Sequence, residues 1–528
     1  MEVLQRTANR GSVSTGYDVD NSVKFDKGND TTTVEFFERN VSSAGSRTTG
    51  TFSAWVKKTD VTTAQYLFTF GNVDNDDGRT FARFQTDGTL RVAGGSTTWR
   101  NTNRVFRDTA AWYHIVVAFD TTQSTANDRI KVYVNGVQET SFSTTNNPSE
   151  DGNLGLNFGK QAIGYNTVDN NSGFNGYMCE VVIQDGVASA PTEFGEFDSD
   201  TGIWIPKDAS GATMGTNGSY LKFENASSMG AATAGNAFTV QNINQVDQAT
   251  DTCTNNFCTL NILSYNIPYT ASQGNTKYVK NDNTYGMASG THYVGAGKWY
   301  WEIKATDFGT YSSCSFGIID AFKPTVDANE RGYEDPVLAA TNPDILVMSG
   351  APNNWFMNSN GTISNNGSTG SVDYTFNEGD ILAFALDMDN GAYWMGNSRY
   401  SGVANGSFWV APGGTTTSGS VATTDPTNGN YALIGDGGGT NSGTPNFNGG
   451  TITGGSLLTA GFTLVTPLLG AYHSNTEVTL EVNFGGFTSY GEDGGYSDAN
   501  GHGNFSYAVP SGFYSLCSKN IAEFGGSG

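Results

Sequence analysis

The sequence predicts an all-β protein made of two β-sandwiches in tandem, and three observations carry that expectation. Two distant segments close in nearly the same way, Gly155-Leu-Asn-Phe158-Gly and Glu481-Val-Asn-Phe484-Gly. Each ends a run of short stretches in which apolar and polar residues alternate behind a Trp, the pattern of sheets with one face on a core and the other in water. The composition agrees: 68 Gly, many Asn, Ser and Thr, and only 15% charged residues suit short strands and tight turns rather than long helices.

Residues 1–21 carry few apolar side chains and place Arg6 and Arg10 in an otherwise acidic chain. They read as an N-terminal arm that orders on a partner, with a floppy terminus as the alternative. The first sandwich spans 22–205, opening at Ser22-Val-Lys-Phe25. Thr51-Phe-Ser-Ala-Trp55-Val-Lys alternates strictly, so Phe52 and Ala54 share one face and Ser53 and Trp55 the other. Strands follow at Tyr66–Phe70, Thr80–Phe84 and Trp112–Phe119. Arg129–Val134 runs into Asn135-Gly136, a hairpin signal because both central turn positions need positive φ. Residues 206–260 read as an irregular linker. The second sandwich spans 261–518 and contains an insertion rich in Gly, Thr, Ser and Asn at 409–457; residues 519–528 read as a flexible tail.

A formal charge of -24 repels phosphate backbones and anionic bilayers, so neither nucleic acid nor membrane insertion is expected. Five Cys are too few for a disulfide scaffold, and Cys253 and Cys258 are spaced for neither a zinc knuckle nor a redox pair, leaving a small loop disulfide open. The start, Met1-Glu-Val-Leu-Gln-Arg-Thr, lacks a basic n-region and an apolar stretch, so the chain is expected to be neither signal-directed nor membrane-spanning.

Candidate sites are few. A glycan contact needs an aromatic face beside polar side chains. Trp99 with Arg100, and Asn354 with Trp355, lie next to turn residues and are expected to be exposed, whereas Trp55, Trp112, Trp299 and Trp394 read as core. Asp74, Asp76 and Asp77 stand at the spacing of a calcium loop, but Phe84 occupies the position of the closing Glu, so a polar hairpin turn is the competing reading. No cofactor is otherwise expected. A jelly-roll glycosidase needs two carboxyls on one sheet, often as Glu-x-Asp-x-x-Glu. Glu193-Phe-Gly-Glu196-Phe-Asp198 approaches this, but Thr201 stands where the last Glu should be, and the stretch reads as a solvated acidic loop. His114, His292, His473 and His502 have no nearby Ser or Cys in a nucleophile motif and read as structural or exposed.

Phe52-Ser-Ala-Trp55-Val-Lys, Trp112-Tyr-His-Ile-Val-Val and Lys131-Val-Tyr-Val-Asn135-Gly resemble the laminin-G-like, concanavalin-A-like jelly rolls. Gly297-Lys-Trp-Tyr-Trp301-Glu-Ile, Ser315-Phe-Gly-Ile318-Ile, Gly379-Asp-Ile-Leu-Ala-Phe-Ala-Leu386-Asp and Val482-Asn-Phe-Gly485 follow the order of SPRY-type sandwiches. The joined order resembles virion proteins of tailed phages of marine bacteria that pair these two modules. The resemblance implies a non-enzymatic fibre, tail or capsid-surface protein, made in the host cytoplasm and released by lysis. Its partners would be host-surface glycans and, through the arm, other virion proteins, with a homotrimer as the expected assembly. A carbohydrate-active hydrolase or lyase, and a purely architectural decoration or spacer protein, are the alternatives.

Overall fold

The computed structural model describes residues 16–28, 33–71, 78–166, 172–263, 269–281, 285–307, 313–320, 354–358, 362–365, 368–371, 376–400, 408–409, 426, 463–472, 477–491 and 494–525. The chain divides into two compact units, Met1–Asn256 and Phe257–Gly528.

In the first unit, sheet I runs in spatial order Val137–Gln138, Ile130–Val134, Tyr113–Asp120, Thr49–Lys58, Gly176–Asp185, Ser22–Phe25 and Gln248–Ala249, with Ser219–Leu221 also paired to Gly176–Asp185 and Ala234–Gly235 paired to Ser219–Leu221. Sheet II runs Phe142–Thr145, Thr97–Val105, Thr89–Gly94, Arg79–Phe84, Gln65–Gly71, Lys160–Ile163, Phe36–Asn40 and Thr239–Gln241. All these pairings are antiparallel. The two sheets share one core, to which sheet I contributes Phe52, Ala54, Val56, Ile115 and Val117 and sheet II Phe68, Phe70, Ala82, Phe84 and Val92. The alternation of Thr51–Lys57 is thus realised, and Ser53 and Trp55 face outward from sheet I. At the Asn135-Gly136 turn, φ is 49° and 79° and Val134 pairs with Val137. A Cβ on Gly136 would lie 2.2 Å from the Trp204 ring, so that position needs glycine for two reasons.

The second unit repeats the plan. One sheet orders Leu260–Asn261, Tyr285–Gly290, Val465–Tyr472, Ser313–Asp320, Asn354–Asn358, Thr362–Asn365 and Ser368–Ser371. The other orders Thr270–Ser272, Lys277–Lys280, Val478–Asn483, Lys298–Asp307, Ile381–Asp387 and Ala392–Asn397. Trp299, Trp301, Phe384 and Val482 meet Phe316, Ile318 and Leu469 in the core. Trp394 is buried on the outer face instead, beneath Phe505 and Phe513.

Three boundaries differ from expectation. Residues 206–256 are not a linker: they supply strands to both sheets of the first unit. Two buried ion pairs fasten them. Lys24 Nζ lies 2.8 Å from both Glu35 and Asp247, and Lys57 Nζ lies 2.7 Å from Asp251 and 2.8 Å from Asn256 Oδ1. The last residues of the expected arm are also part of the sandwich, since Val19 is buried and its N–H donates to Thr254 Oγ1 at 3.1 Å. The expected C-terminal tail contains an α-helix, Ser518–Phe524, because Ile521 and Phe524 present one apolar stripe to the core and Phe524 stacks on Tyr514 at 3.9 Å. Most of the 409–457 insertion lies outside the described residues. All five cysteines are buried and none is in a disulfide, so Cys253 and Cys258 are not bonded to each other.

Candidate functional site

Trp99 and Arg100 are not exposed. The register shifts between Val92 and Ala93, leaving Trp99 as the extra residue of a bulge and turning its ring into the core at 1% exposure. Arg100 is 2% exposed and spends its guanidinium on loop acceptors: the carbonyls of Trp99 (2.9 Å), Asn127 and Ile130 (both 3.2 Å), and Asn147 Oδ1 (2.9 Å). Nearness to turn residues predicted exposure; the bulge reverses it. Asn354 and Trp355 have their backbone in a strand paired on one side with Ser313–Asp320 and on the other with Thr362–Asn365, and their side chains lie outside the described residues. Asp74, Asp76, Asp77, Arg6 and Arg10 also lie outside them. Among the described residues no group of three His, Cys, Asp or Glu is placed to hold a metal ion.

The outer face of sheet I holds an arrangement that resembles a nucleophile and its base. Ser53 Oγ lies 2.8 Å from His114 Nε2. The other ring nitrogen, Nδ1, accepts the Trp204 indole N–H at 2.9 Å. An accepting nitrogen carries no proton, so in the neutral ring the proton sits on Nε2 and is donated to Ser53. That is the reverse of the tautomer a general base needs. The ring is also 1% exposed and stacked between Trp55 and Trp204, with centroids at 4.8 and 5.9 Å. This group fastens the Gly195–Phe197 and Trp204–Pro206 hairpin to the sheet. The Glu193–Asp198 stretch forms the same hairpin, and Asp198 Oδ1 accepts the N–H of Asp200 and both the N–H and hydroxyl of Thr201. Those bonds hold its carboxyl below the usual range and close a turn.

Glu180 is a strongly perturbed carboxyl of this face. It sits at a bulge between Cys179 and Val182 with φ of 52°, and accepts hydroxyl hydrogen bonds from Tyr17, at 2.8 Å, and Tyr220. Burial pushes its pKa up to about 7, against the lowering effect of the two hydroxyls. A carboxyl raised in the folded state binds its proton there first, so stability is highest below the unfolded pKa and falls as pH rises through the folded one. From pH 4.5 to 7 the loss is on the order of 3 kcal/mol, at 1.36 kcal/mol per unit. The Glu180→Gln protein is therefore expected to show a flatter denaturation midpoint across that window than the parent. Parallel curves for the two proteins would contradict the assignment.

Two surface features remain. A cleft of about 520 Å³ is floored by Met229, Phe238, Val240 and Ile243 and rimmed by Ser227, Ser228, Thr239, Asn244 and Gln245. Its polar groups are partly spent: Asn244 caps its own turn, and Arg39 lies over the Phe238 ring at 4.3 Å. The outer face of sheet II carries a different construction. Arg79, Phe81 and Arg83 alternate on one face of Arg79–Phe84, and Arg91 and Ala93 lie opposite on Thr89–Gly94. Tyr66, Phe81 and Ala93 form a small buried cluster there. The guanidiniums of Arg79, Arg83 and Arg91 lie 5.0, 5.8 and 5.5 Å from the Phe81 centroid, and Arg83 lies 5.2 Å from that of Tyr66 while donating to its hydroxyl at 2.8 Å. Sequence reasoning missed this platform. Its signal was the Arg-x-Phe-x-Arg alternation, but the register that brings Arg91 against Arg83 is a tertiary fact.

No curated protein matches the chain in sequence. Among solved structures, the SPRY domain of human HERC1 is similar at 11% identity and a TM-score of 0.22, covering 40% of this chain and 91% of that one. A putative carbohydrate binding protein from Bacteroides ovatus is similar at 17% identity and 0.27, covering 40% and 53%. Domain 4 of AbnA, an extracellular arabinanase from Geobacillus stearothermophilus solved with arabinotriose, is similar at 19% identity and 0.23, covering 32% and 77%. Residues 18–192 match the model of the concanavalin A-like lectin/glucanases superfamily, and the first sandwich has that superfamily's lectin-like fold.

Proposed function

We propose that the chain is a non-enzymatic surface protein of a tailed-phage particle, on fibre, tail or capsid, whose lectin-like first sandwich engages glycans of the host surface. The observation that carries the binding role is the superfamily match over residues 18–192. The binding reading is favoured over the hydrolase or lyase reading by the chemistry of the outer face of sheet I, where the His114 tautomer is wrong for a base and Glu180 is 6% exposed beneath two tyrosines. The virion role is supported by the order of the laminin-G-like and SPRY-like motifs, and by a formal charge of -24, which suits a particle surface kept soluble at high local density.

On this reading, residues 2–20 contain the attachment arm, with Arg6 and Arg10 directed to an acidic neighbour, and a homotrimer supplies avidity for weakly bound sugars. Val137, 55% exposed on the edge strand of sheet I, offers apolar surface for such an assembly. The test is incorporation. Deleting residues 2–15, before the described Tyr17 and Val19 contacts, is expected to leave a folded protein that no longer enters particles. Normal incorporation of the truncated chain would contradict the arm assignment, and particles that never carry the full chain would contradict the virion role. An architectural spacer is the reading left standing if particles carry the chain and no glycan binds it.

A further inference from the structure

The geometry points to an anionic ligand on the Arg83–Arg91 pair of this platform: a polysaccharide whose sugars carry carboxylate or sulfate groups. This rests on the glycan-binding reading above and narrows it to a chemical class and a place. Four observations lead there.

First, Arg83 and Arg91 are directly opposite one another in the antiparallel register. Like charges in that position repel, and a sheet has no structural reason to keep them. Second, the Arg83 and Arg91 guanidiniums sit over aromatic rings and not over carboxylates. Among the described residues neither Arg83 nor Arg91 forms an ion pair, although the chain has 51 acidic residues against 27 basic ones and pairs its arginines elsewhere, as in Arg104 with Glu139 at 2.8 Å and Arg129 with Glu150 at 3.0 Å. Third, the groups are held rather than free. Phe81 and Tyr66, each 1% exposed, form the floor on which the guanidinium planes lie, Arg83 is tied to Gln85 Oε1 at 2.7 Å, and Arg91 to the Ser96 carbonyl at 3.2 Å. Cation–π contact fixes a guanidinium in place without neutralising it, so its N–H edges stay available to an acceptor. Arg91 Nε is itself buried without a hydrogen-bond partner. Its guanidinium has a lowered pKa from burial and then from the neighbouring charges of Arg83 and Arg79, so repulsion is present in the unliganded state and an anion would relieve it.

Fourth, the surface beside the platform suits a sugar. Arg91 pairs with Asn101 on the next strand, and Asn101 Nδ2 donates to Ser143 Oγ at 2.9 Å at an exposed position, as Asn103 Nδ2 does to Ser141 Oγ. A row of amides and hydroxyls therefore continues from the charged centre. One sugar would place its anionic group between the guanidiniums, where bidentate contact is strongest, and neighbouring sugars would meet the amide row through their hydroxyls. A protein of net charge -24 is a poor general polyanion binder, so the site must act by local geometry.

The test measures equilibrium binding of the intact chain to four probes at low salt: polygalacturonate, dextran sulfate, neutral dextran and duplex DNA. One or both acidic polysaccharides are expected to bind, and which does so distinguishes carboxylate from sulfate. Arg83→Gln and Arg91→Gln are each expected to weaken that binding at least ~10-fold, the loss of one charge-assisted contact, with the thermal midpoint unchanged or raised because repulsion is removed. Arg91→Lys keeps the charge without the planar fork and should recover only part of the affinity. Variants that bind as the parent does, or DNA bound as tightly as the sugars, would overturn the proposal. Neutral glycans bound while acidic ones are not would overturn it and leave the glycan reading standing; no glycan bound at all would overturn both.

Discussion

Replacing Asp251 with alanine is expected to destabilise the first unit by about 4 kcal/mol, because it takes a carboxylate from the Lys57 ammonium where solvent cannot reach it. Lys57 and Asp251 are 0% and 1% exposed at their side chains and 2.7 Å apart. Asp251 also accepts the Trp112 indole N–H at 3.1 Å, and its carbonyl accepts the Ser22 hydroxyl at 2.6 Å. The alanine variant removes the charge partner and the Trp112 acceptor together, leaving Asn256 Oδ1 on the ammonium. Against a typical total of about 5–15 kcal/mol for a domain, that is a large fraction. Hydrogen exchange of residues 246–256 gives a local reading, since this segment loses its anchor first. The double variant Lys57→Met, Asp251→Leu should recover most of the loss, because an apolar pair carries no desolvation penalty. A change under about 1 kcal/mol in Asp251→Ala would show that the segment is held by its strand pairings alone.

The second large effect is expected at Glu302, in the second unit. Its side chain is fully buried and has no cation beside it among the described residues; its two oxygens are instead surrounded by donors. Oε1 accepts from Tyr300 Oη and the Tyr507 N–H, both at 2.9 Å. Oε2 accepts from the Ser506 N–H at 2.9 Å, Tyr490 Oη at 3.1 Å and Asn483 Nδ2 at 3.4 Å. Burial raises its pKa in spite of those bonds. The carboxylate is thus the peg on which the 490–507 segment hangs, next to the Phe505 ring that packs edge-on against Tyr300 at 5.0 Å. Glu302→Ala leaves two backbone N–H groups and two hydroxyls without their acceptor, and a loss of about 3–5 kcal/mol follows from the usual cost per stranded buried group. Glu302→Gln should be intermediate, since one oxygen survives and the amide N–H₂ meets donors. Both variants should speed exchange at residues 494–513; unchanged exchange there would contradict the peg.

Much of this could be read from the sequence, and the limits have physical causes. Strict alternation along Thr51–Lys57 and the Asn135-Gly136 turn are local signals, and both held. Residues 206–256 failed as a reading because their strands, Ser219–Leu221, Thr239–Gln241 and Gln248–Ala249, have two or three residues each, too short for a period to register. The ion pairs that fix them join residues as far apart as Lys57 and Asp251, and spacing along the chain says nothing about such partners. Trp99 was misplaced by a bulge, which reverses the side of a strand without altering its composition. The arginine platform needed the pairing of Arg83 with Arg91. The turn that sets it is tight, with Gln85 N–H donating to the Thr89 carbonyl at 2.8 Å and Gly88 N–H to that of Gln85 at 2.9 Å. A Gly at φ of 84° marks that turn, so a hairpin there was legible, and the repulsive pair across it was not.

On the proposed reading, the chain holds glycans without cleaving them. One measurement addresses it most directly: the purified chain is titrated with bacterial envelope polysaccharide, and bound protein and newly formed reducing or unsaturated sugar ends are counted in the same samples. The account predicts saturable binding with no increase in ends over prolonged incubation. New ends that accumulate in proportion to the protein and persist through purification would contradict it.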